Sequence, residues 1–137
     1  MTGQPSVAEL VKQWLLKARS DLRTAEHTLG LTEDCPYDTV CFHAQQCVEK
    51  SLEAVLVASQ IPFRKTHDLE ELFLLLPPAV PVPVSLGELT RLSPHATDTR
   101  YPGAWAWPEK REGEWAVEVA RRVLGFVESW NSARSAP

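Results

Sequence analysis

A run of polar residues from Arg64 to Asp68 has the composition of an anion-binding site. Two cations, Arg64 and Lys65, come directly before Thr66, a residue type that often caps helices. The free N–H groups at a helix N-terminus attract anions, and neighbouring cations add to that attraction. The run therefore predicts a docking point for the phosphate of a nucleotide or RNA. Solvated cations beside an ordinary helix cap are the alternative interpretation.

A second polar run, residues 98–103, precedes two tryptophans and has Arg100 and Tyr101 at its centre. Arginine close to aromatic residues is common in nucleic-acid sites and in protein interfaces. Alternatively, Arg100 pairs inside the protein with Gln46 or Glu49. Those two polar groups are expected close to the core, where a group left without a hydrogen bond costs about 1–3 kcal/mol.

Other kinds of site lack their sequence patterns. The four histidines form no short-spaced ligand pair, and the six glycines are scattered singly rather than gathered in a phosphate-binding loop. No GxSxG motif provides an activated serine. The three cysteines include no CxxC pair, which favours packed, reduced thiols. Neither a metal nor a cofactor is expected.

Length and charge narrow the class of protein. A chain of 137 residues suits one domain. The net charge of −4 argues against binding nucleic acid through bulk electrostatics, although a local basic patch is compatible with it. The N-terminal residues have no signal-peptide pattern, and no apolar run nears the roughly 20 residues of a membrane span. We expect a cytoplasmic protein without a membrane segment.

The elements that position these residues are predicted to be helical throughout. Apolar residues recur at spacings of three and four along most of the chain, and no stretch alternates long enough to form a strand. Short connections favour antiparallel neighbours. The predicted fold is all-α, an antiparallel four-helix up-and-down bundle with a short extra helix. The helices are expected at 7–29 and 37–59, from a Thr66 cap to about 76, from Ser85 to about 92, and at 108–131.

Residues 42–76 carry a recognisable family pattern. They contain QQCVEK at 45–50 and KTHDL at 65–69, and TRYPG follows at 99–103. In this order and spacing the sequence resembles the HEPN domain, the family named for nucleotide binding in higher eukaryotes and prokaryotes. The resemblance covers nearly the whole chain.

The resemblance implies a small helical bundle that forms a homodimer and pairs with a minimal nucleotidyltransferase, often as a toxin–antitoxin-like system. The apolar residues Trp115, Phe126 and Trp130 of the last helix suit either a dimer face or an ordinary core. We expect Gln46, Glu49, His67 and Arg100 to converge on one small polar pocket. The residues assigned to nucleotide or RNA binding are Gln46, Glu49, Lys65, His67, Arg100 and Tyr101.

The sequence departs from the family at its catalytic motif. Many HEPN members are metal-independent ribonucleases that use an arginine and, shortly after it, a histidine near the start of the last helix. Arg100 matches the arginine, but no histidine follows His95, and Arg91 with His95 lies ahead of the matched arginine. Cleavage of RNA needs a group that titrates near neutrality, which histidine supplies.

The favoured hypothesis is therefore a nucleotide- or RNA-binding partner of a nucleotidyltransferase, with no assigned catalytic residue. A metal-independent ribonuclease toxin and a bare oligomerisation scaffold are the alternatives.

Overall fold

Three long helices and two short ones make up most of the computed structural model, which describes residues 3–97 and 107–135. No strand occurs in those two ranges, so the predicted all-α bundle is confirmed. None of their helices is long and apolar enough to span a bilayer. The elements are α1 (Val7–Leu29), α2 (Tyr37–Ala58), α3 (Leu69–Leu74), α4 (Leu86–Leu92), a 3₁₀ turn (Ser93–Ala96) and α5 (Lys110–Ser135).

The bounds of α1 agree with the sequence prediction, because signals at both of its ends are strong. At the start, the Glu9 backbone N–H donates to Ser6 Oγ at 3.1 Å. At the end, the Gly30 backbone N–H closes the helix on the carbonyls of Glu26 and His27. Between them, the apolar stripe packs into the core through Val11, Leu15, Ala18, Leu22 and Ala25.

The helix α2 lies at the centre of the bundle, and most of its length is buried. It packs against both α1 and α5, so even Leu52 and Ala54, on opposite faces of the helix, are fully covered. Burial of one such leucine side chain contributes about 1.5–3 kcal/mol. The Cys41 and Cys47 thiols are part of this core and are free, as expected, and burial raises the pKa of each to about 12.

The start of α5 packs closely against α1 and α2 at Gly113. A Cβ atom at this buried glycine would lie 3.4 Å from the side chains of Tyr37 and Val40 and 3.5 Å from that of Leu29. These are van der Waals contact distances, so a methyl group at position 113 would just touch the three neighbours, and a longer side chain would have to displace them. The first turn of α5 therefore lies directly against the end of α1 and the start of α2.

Contacts at the other end of the bundle, far from Gly113, establish the relative directions of the three long helices. Arg134 Nη2, near the end of α5, donates to the Ala58 carbonyl at the end of α2, at 3.3 Å. Trp14, early in α1, packs edge-on against Phe63, just beyond α2, with ring centroids 6.5 Å apart. It follows that α1 is antiparallel to α2, whereas α5 runs parallel to α2. The segment that contains α3 and α4 connects the end of α2 to the start of α5, at the other end of the bundle.

The third helix is shorter than predicted and has a different cap. The Asp68 side chain, not that of Thr66, caps α3, and it accepts from the Glu70 and Glu71 backbone N–H groups at 3.1 and 3.3 Å. Thr66 instead accepts the Asp68 backbone N–H in a turn before the helix. The helix ends at Leu74 rather than 76, since Pro77 disfavours helical geometry at the residue before it.

The other boundaries shift by a few residues. Ala58 is the last residue of α2, and Ser59 is its C-cap. Pro36 is the N-cap of α2, and α5 begins two residues after Pro108, its predicted start, and continues to Ser135. The 3₁₀ turn after α4 was not predicted, because four residues are too few to show a helical period.

Candidate functional site

A buried carboxylate and a half-exposed histidine form the centre of the candidate site. Glu49 projects from α2, and its Oε1 lies 2.8 Å from Nδ1 of His67, which stands two residues ahead of α3. The Glu49 side chain is 9% exposed and that of His67 is 51% exposed. Since a carboxylate oxygen accepts, Nδ1 carries the hydrogen and Nε2 is the ring nitrogen that remains for another partner. The helix thus holds the imidazole in one orientation at the surface.

Gln45 joins this pair more directly than the predicted Gln46. Its Nε2 donates to Glu49 Oε1 at 3.3 Å and to the His67 carbonyl at 3.1 Å. Gln46 reaches the pair only through Gln45, to whose Oε1 it donates at 2.7 Å. The structure therefore brings together three of the four residues expected in one pocket, with Gln45 as an additional member.

Of the remaining assigned residues, the structure describes Lys65 but not Arg100 or Tyr101. Arg100 and Tyr101 lie outside the described residues, as does Asp98. Lys65 is exposed, and within the described part of the chain it has no ion-pair partner. Arg64 has one, because its Nε and Nη2 each lie 2.7 Å from a Glu71 carboxylate oxygen. With Asp68 accepting the first N–H groups of α3, most donors of the predicted phosphate site already have partners within the chain.

A polar cleft of about 480 Å³ opens beside His67, between the start of α3 and the segment from α4 to the 3₁₀ turn. Ser93 Oγ fastens its two walls together, since it accepts the Leu69 backbone N–H at 3.0 Å and donates to the His67 carbonyl at 3.2 Å. Hydroxyl and carboxylate groups dominate the lining, which consists of Thr66, His67, Asp68, Glu70, Thr90, Ser93, Pro94 and Thr97.

A second buried carboxylate, Glu53, follows Glu49 by one turn of α2 and is 5% exposed. Burial and, after it, the charge of Glu49 raise the pKa of Glu53 to about 8. Its Oε1 has no hydrogen-bond partner among the described residues. Near neutral pH the Glu53 side chain is therefore largely protonated.

The motif Arg91 to His95 is a structural clamp on α5. Both side chains contact the Glu112 carboxylate, His95 through Nε2 at 3.2 Å and Arg91 through its guanidinium. The Arg91 guanidinium also stacks on Trp115, 3.8 Å from the ring centroid. Burial acts to raise the pKa of Glu112, but the hydrogen bonds from Arg91 and His95 outweigh it and lower the pKa. This clamp fixes the 3₁₀ turn that forms one wall of the cleft.

Lys50, the last residue of QQCVEK, pairs with α1 and not with the residues around Glu49. Its Nζ lies 2.6 Å from Asp21 Oδ2, and His43 Nδ1 lies 2.9 Å from Asp21 Oδ1. This network joins α2 to α1 and takes no part in the Glu49–His67 pair. No group of three or more potential metal ligands occurs within residues 3–97 and 107–135.

Comparisons with known proteins agree with this architecture. The HEPN domain family model matches residues 11–130. The chain is similar to TT1696 from Thermus thermophilus, with 32% sequence identity, a TM-score of 0.73, and coverage of 87% of this chain and 96% of that one. It is also similar to ST0689, an archaeal HEPN homologue, with 26% identity, a TM-score of 0.67, and coverage of 88% and 97%. No curated protein sequence matches it.

The family match includes every helix that positions the site, from α1 to nearly the end of α5, and the two solved structures reproduce the helical bundle over most of their own length. The chain belongs to the HEPN domain family.

Proposed function

We propose that this HEPN-domain protein binds a nucleotide or an RNA end in the cleft beside His67 and acts as the partner of a minimal nucleotidyltransferase in a toxin–antitoxin-like pair. The observation that carries the proposal is the imidazole of His67, held by buried Glu49 at the edge of a polar cleft. Such a ring offers a face for stacking on a base and a ring nitrogen for a hydrogen bond.

The lining of the cleft favours the sugar and base over the phosphate. Thr66, Thr90 and Ser93 provide hydroxyls, and Asp68 and Glu70 provide carboxylates that accept from ribose hydroxyls or base N–H groups. The two carboxylates also repel a phosphate placed between them. The nucleoside is therefore assigned to the cleft itself, and its phosphates to cations that flank the cleft residues in the sequence.

Three further predicted residues complete this assignment. Lys65 is exposed next to Thr66, and its ammonium is available for a phosphate. Arg100 and Tyr101 follow the cleft residue Thr97 by three and four positions in the sequence. We assign a phosphate contact to Arg100 and base stacking to Tyr101.

The partner assignment rests on family membership, since many HEPN proteins pair with nucleotidyltransferases. We also propose that the protein forms a homodimer through α5. Trp115, Phe126 and Trp130 of this helix are half-buried in the monomer and leave apolar area for a second copy.

Calorimetric titration of the purified protein with ATP and with a short single-stranded RNA tests the binding assignment. We expect His67→Ala to weaken binding about tenfold or more, and His27→Ala, a histidine on the exposed side of α1, to leave it unchanged. Co-purification with a co-expressed minimal nucleotidyltransferase tests the partner. If the protein binds neither nucleotide nor RNA and the nucleotidyltransferase does not co-purify, the proposal is wrong.

A metal-independent ribonuclease is the second candidate function, and one specific observation favours it. A carboxylate that holds Nδ1 of a histidine leaves Nε2 suited to general acid–base chemistry. In this reading His67 takes the place of the histidine that is missing after Arg100. It predicts RNA cleavage in the presence of EDTA and loss of that cleavage in both His67→Ala and Arg100→Ala. Intact RNA after incubation with the wild-type protein rules this function out.

A further inference from the structure

One side of α1 carries a stripe of basic residues with a leucine in it. Lys12, Leu16, Arg19, Arg23 and His27 follow one another at spacings of four, three, four and four residues, which places them on one face of the helix. The stripe is about 22 Å long at 1.5 Å per residue. We call these five residues the basic face.

The charge of the basic face is only partly balanced within the chain. Arg19 pairs with Glu128 of α5. Lys12 and Arg23 are exposed, and no carboxylate of residues 3–97 or 107–135 pairs with them. The protein carries a net charge of −4, so this stripe of positive charge stands out against the charge of the whole.

Leu16 is the apolar centre of the basic face and is 60% exposed. Two depressions meet at Leu16 and Arg19. The first, about 480 Å³, lies between α1 and α5 and has Ala8 and Leu15 among its lining residues, while the second, about 420 Å³, continues along α1 past Arg23 to His27. An exposed leucine within a continuous groove flanked by charges is typical of a protein-docking surface.

The neighbouring helix contributes an exposed glycine to the same side of the bundle. Gly125 lies one turn from Glu128 and one turn from Arg121, and both of these residues pair with α1, the second through Glu26 at 2.5 Å. A Cβ atom at Gly125 would meet nothing within 4 Å. A glycine inside a helix costs about 1 kcal/mol relative to alanine, and the packing of this chain does not require it. Because a glycine has no side chain, this position would allow the backbone of another molecule to approach α5 closely.

We propose that the basic face, together with Gly125, docks an acidic amphipathic helix of a partner protein. Apolar residues of that helix pack on Leu16 and over Gly125, and its flanking carboxylates pair with Lys12 and Arg23. The groove shares no lining residue with the cleft beside His67, so the proposal does not depend on what the cleft binds.

Two other occupants fit the observations less well. A second copy related by a two-fold axis would place one basic face against the other, and like charges in contact oppose association. A single RNA strand gains much of its affinity from stacking on aromatic rings, and the lining of the two depressions includes no phenylalanine, tyrosine or tryptophan and one imidazole, that of His27. Charge complementarity therefore selects a protein helix rich in aspartate and glutamate.

The test uses a fluorescein-labelled peptide of about 18 residues, or about 27 Å of helix, with leucines at every third and fourth position and glutamates on both sides of them. We expect fluorescence anisotropy to show binding that weakens as salt increases. The double variant Lys12→Glu, Arg23→Glu should bind about tenfold or more weakly, because it reverses the charges that the peptide faces.

Two single variants test the apolar part of the groove. Leu16→Ser should weaken binding about fivefold. A change of that size corresponds to the burial of roughly one methyl or methylene group, as expected for a side chain that the peptide covers only in part. Gly125→Leu should also weaken binding about tenfold, because its side chain blocks the approach, while the open space around it and its higher helix propensity leave the fold intact. Lys17→Glu is the matched control, since it reverses an exposed charge outside both depressions of the groove, and it should leave the affinity unchanged.

Several results would overturn the proposal. These are no binding up to about millimolar peptide, equal binding of a scrambled peptide with the same composition, or the same loss in Lys17→Glu as in the double variant. Binding of oligouridylate that is lost in the double variant would identify RNA as the occupant instead. A dimer in sedimentation that dissociates on Leu16→Ser would identify a second copy.

Discussion

Glu49 Oε1 lies 2.8 Å from His67 Nδ1, although the two residues come from different elements and are separated by the end of α2 and a loop. The carboxylate is buried and the imidazole is half-exposed. The pair therefore connects the core of the bundle to the surface of the cleft, and it fixes the direction in which the imidazole faces that cleft.

Removal of the carboxylate should destabilise the fold. In Glu49→Ala, the Gln45 amide and the His67 ring lose a shared acceptor, and we expect a loss of about 1–3 kcal/mol in the free energy of unfolding. Urea denaturation measures this loss. Glu114→Ala, an exposed carboxylate of α5, is the control and should change stability by less than about 0.5 kcal/mol. Equal stabilities of the two variants would contradict the structural role of Glu49.

Glu53 should make stability fall as pH rises. Its pKa is about 8 in the folded protein and lies near the ordinary value of 4.5 in the unfolded chain. Between these two values the folded state holds a proton that the unfolded state has released, so the free energy of unfolding decreases with increasing pH.

Glu53→Gln removes this ionisable group and keeps the shape of the side chain. The variant should be more stable than the wild-type protein at pH 8 by about 1–3 kcal/mol, with a smaller gain at pH 5. Urea unfolding of both proteins across this range measures the difference. A gain that is independent of pH would mean that Glu53 does not titrate in the way its burial implies.

Glu112, in contrast to Glu53, should make the stability of the protein fall as pH decreases. Hydrogen bonds from Arg91 and His95 lower its pKa in the folded state, so its stabilising effect is present above its ordinary pKa and disappears as pH falls through the lowered value. Glu112→Gln should therefore destabilise the protein at pH 7, by about 1–3 kcal/mol, and much less at pH 3.

Thermal unfolding at the two pH values measures that effect, and hydrogen exchange should show faster opening of the Ser93–Ala96 turn in the variant. Glu109→Gln, an exposed carboxylate just ahead of α5, is the control. If exchange in the turn is unchanged in Glu112→Gln, the clamp does not hold that wall of the cleft.

The three cysteines should differ in reactivity. Burial raises the pKa of the Cys41 and Cys47 thiols to about 12, so almost no thiolate exists at pH 8, and both side chains are inaccessible. Cys35 is half-buried and should be the one labelled by iodoacetamide in the native protein. Mass spectrometry of peptides identifies the labelled site, and Cys35→Ser should abolish native labelling. Rapid labelling of Cys41 or Cys47 without denaturant would contradict the core packing.

The sequence alone predicts the helical part of this fold well, for reasons that are visible in α1. Its apolar period, the Ser6 cap and the Gly30 stop all agree, so its bounds were correct to the residue. The start of α3 was predicted with a Thr66 cap, whereas the Asp68 side chain is the one that reaches the N–H groups of Glu70 and Glu71. The conformation of the loop before α3 determines which side chain reaches them, and apolar spacing does not describe that loop.

The candidate site was predicted in part. Glu49 and His67 are in contact, as expected from the family resemblance, which includes both the QQCVEK and the KTHDL motif. Gln45 and Gln46 are neighbours on α2, about 100° apart around the helix, and period alone does not show which of them faces His67. The Glu112 clamp joins residues that are distant in sequence and leaves no short motif, so it emerged only from the packing of α5 against the 3₁₀ turn.

The most direct test of the central claim, that the cleft beside His67 is a ligand site, is a titration of isotope-labelled protein with ATP and with a short RNA, followed by NMR. We expect the His67 ring resonances and the backbone amides of Ser93 and Thr97 to shift together with saturation, and those of the basic face to stay in place. Shifts confined to other parts of the bundle, or none at millimolar ligand, would contradict the account.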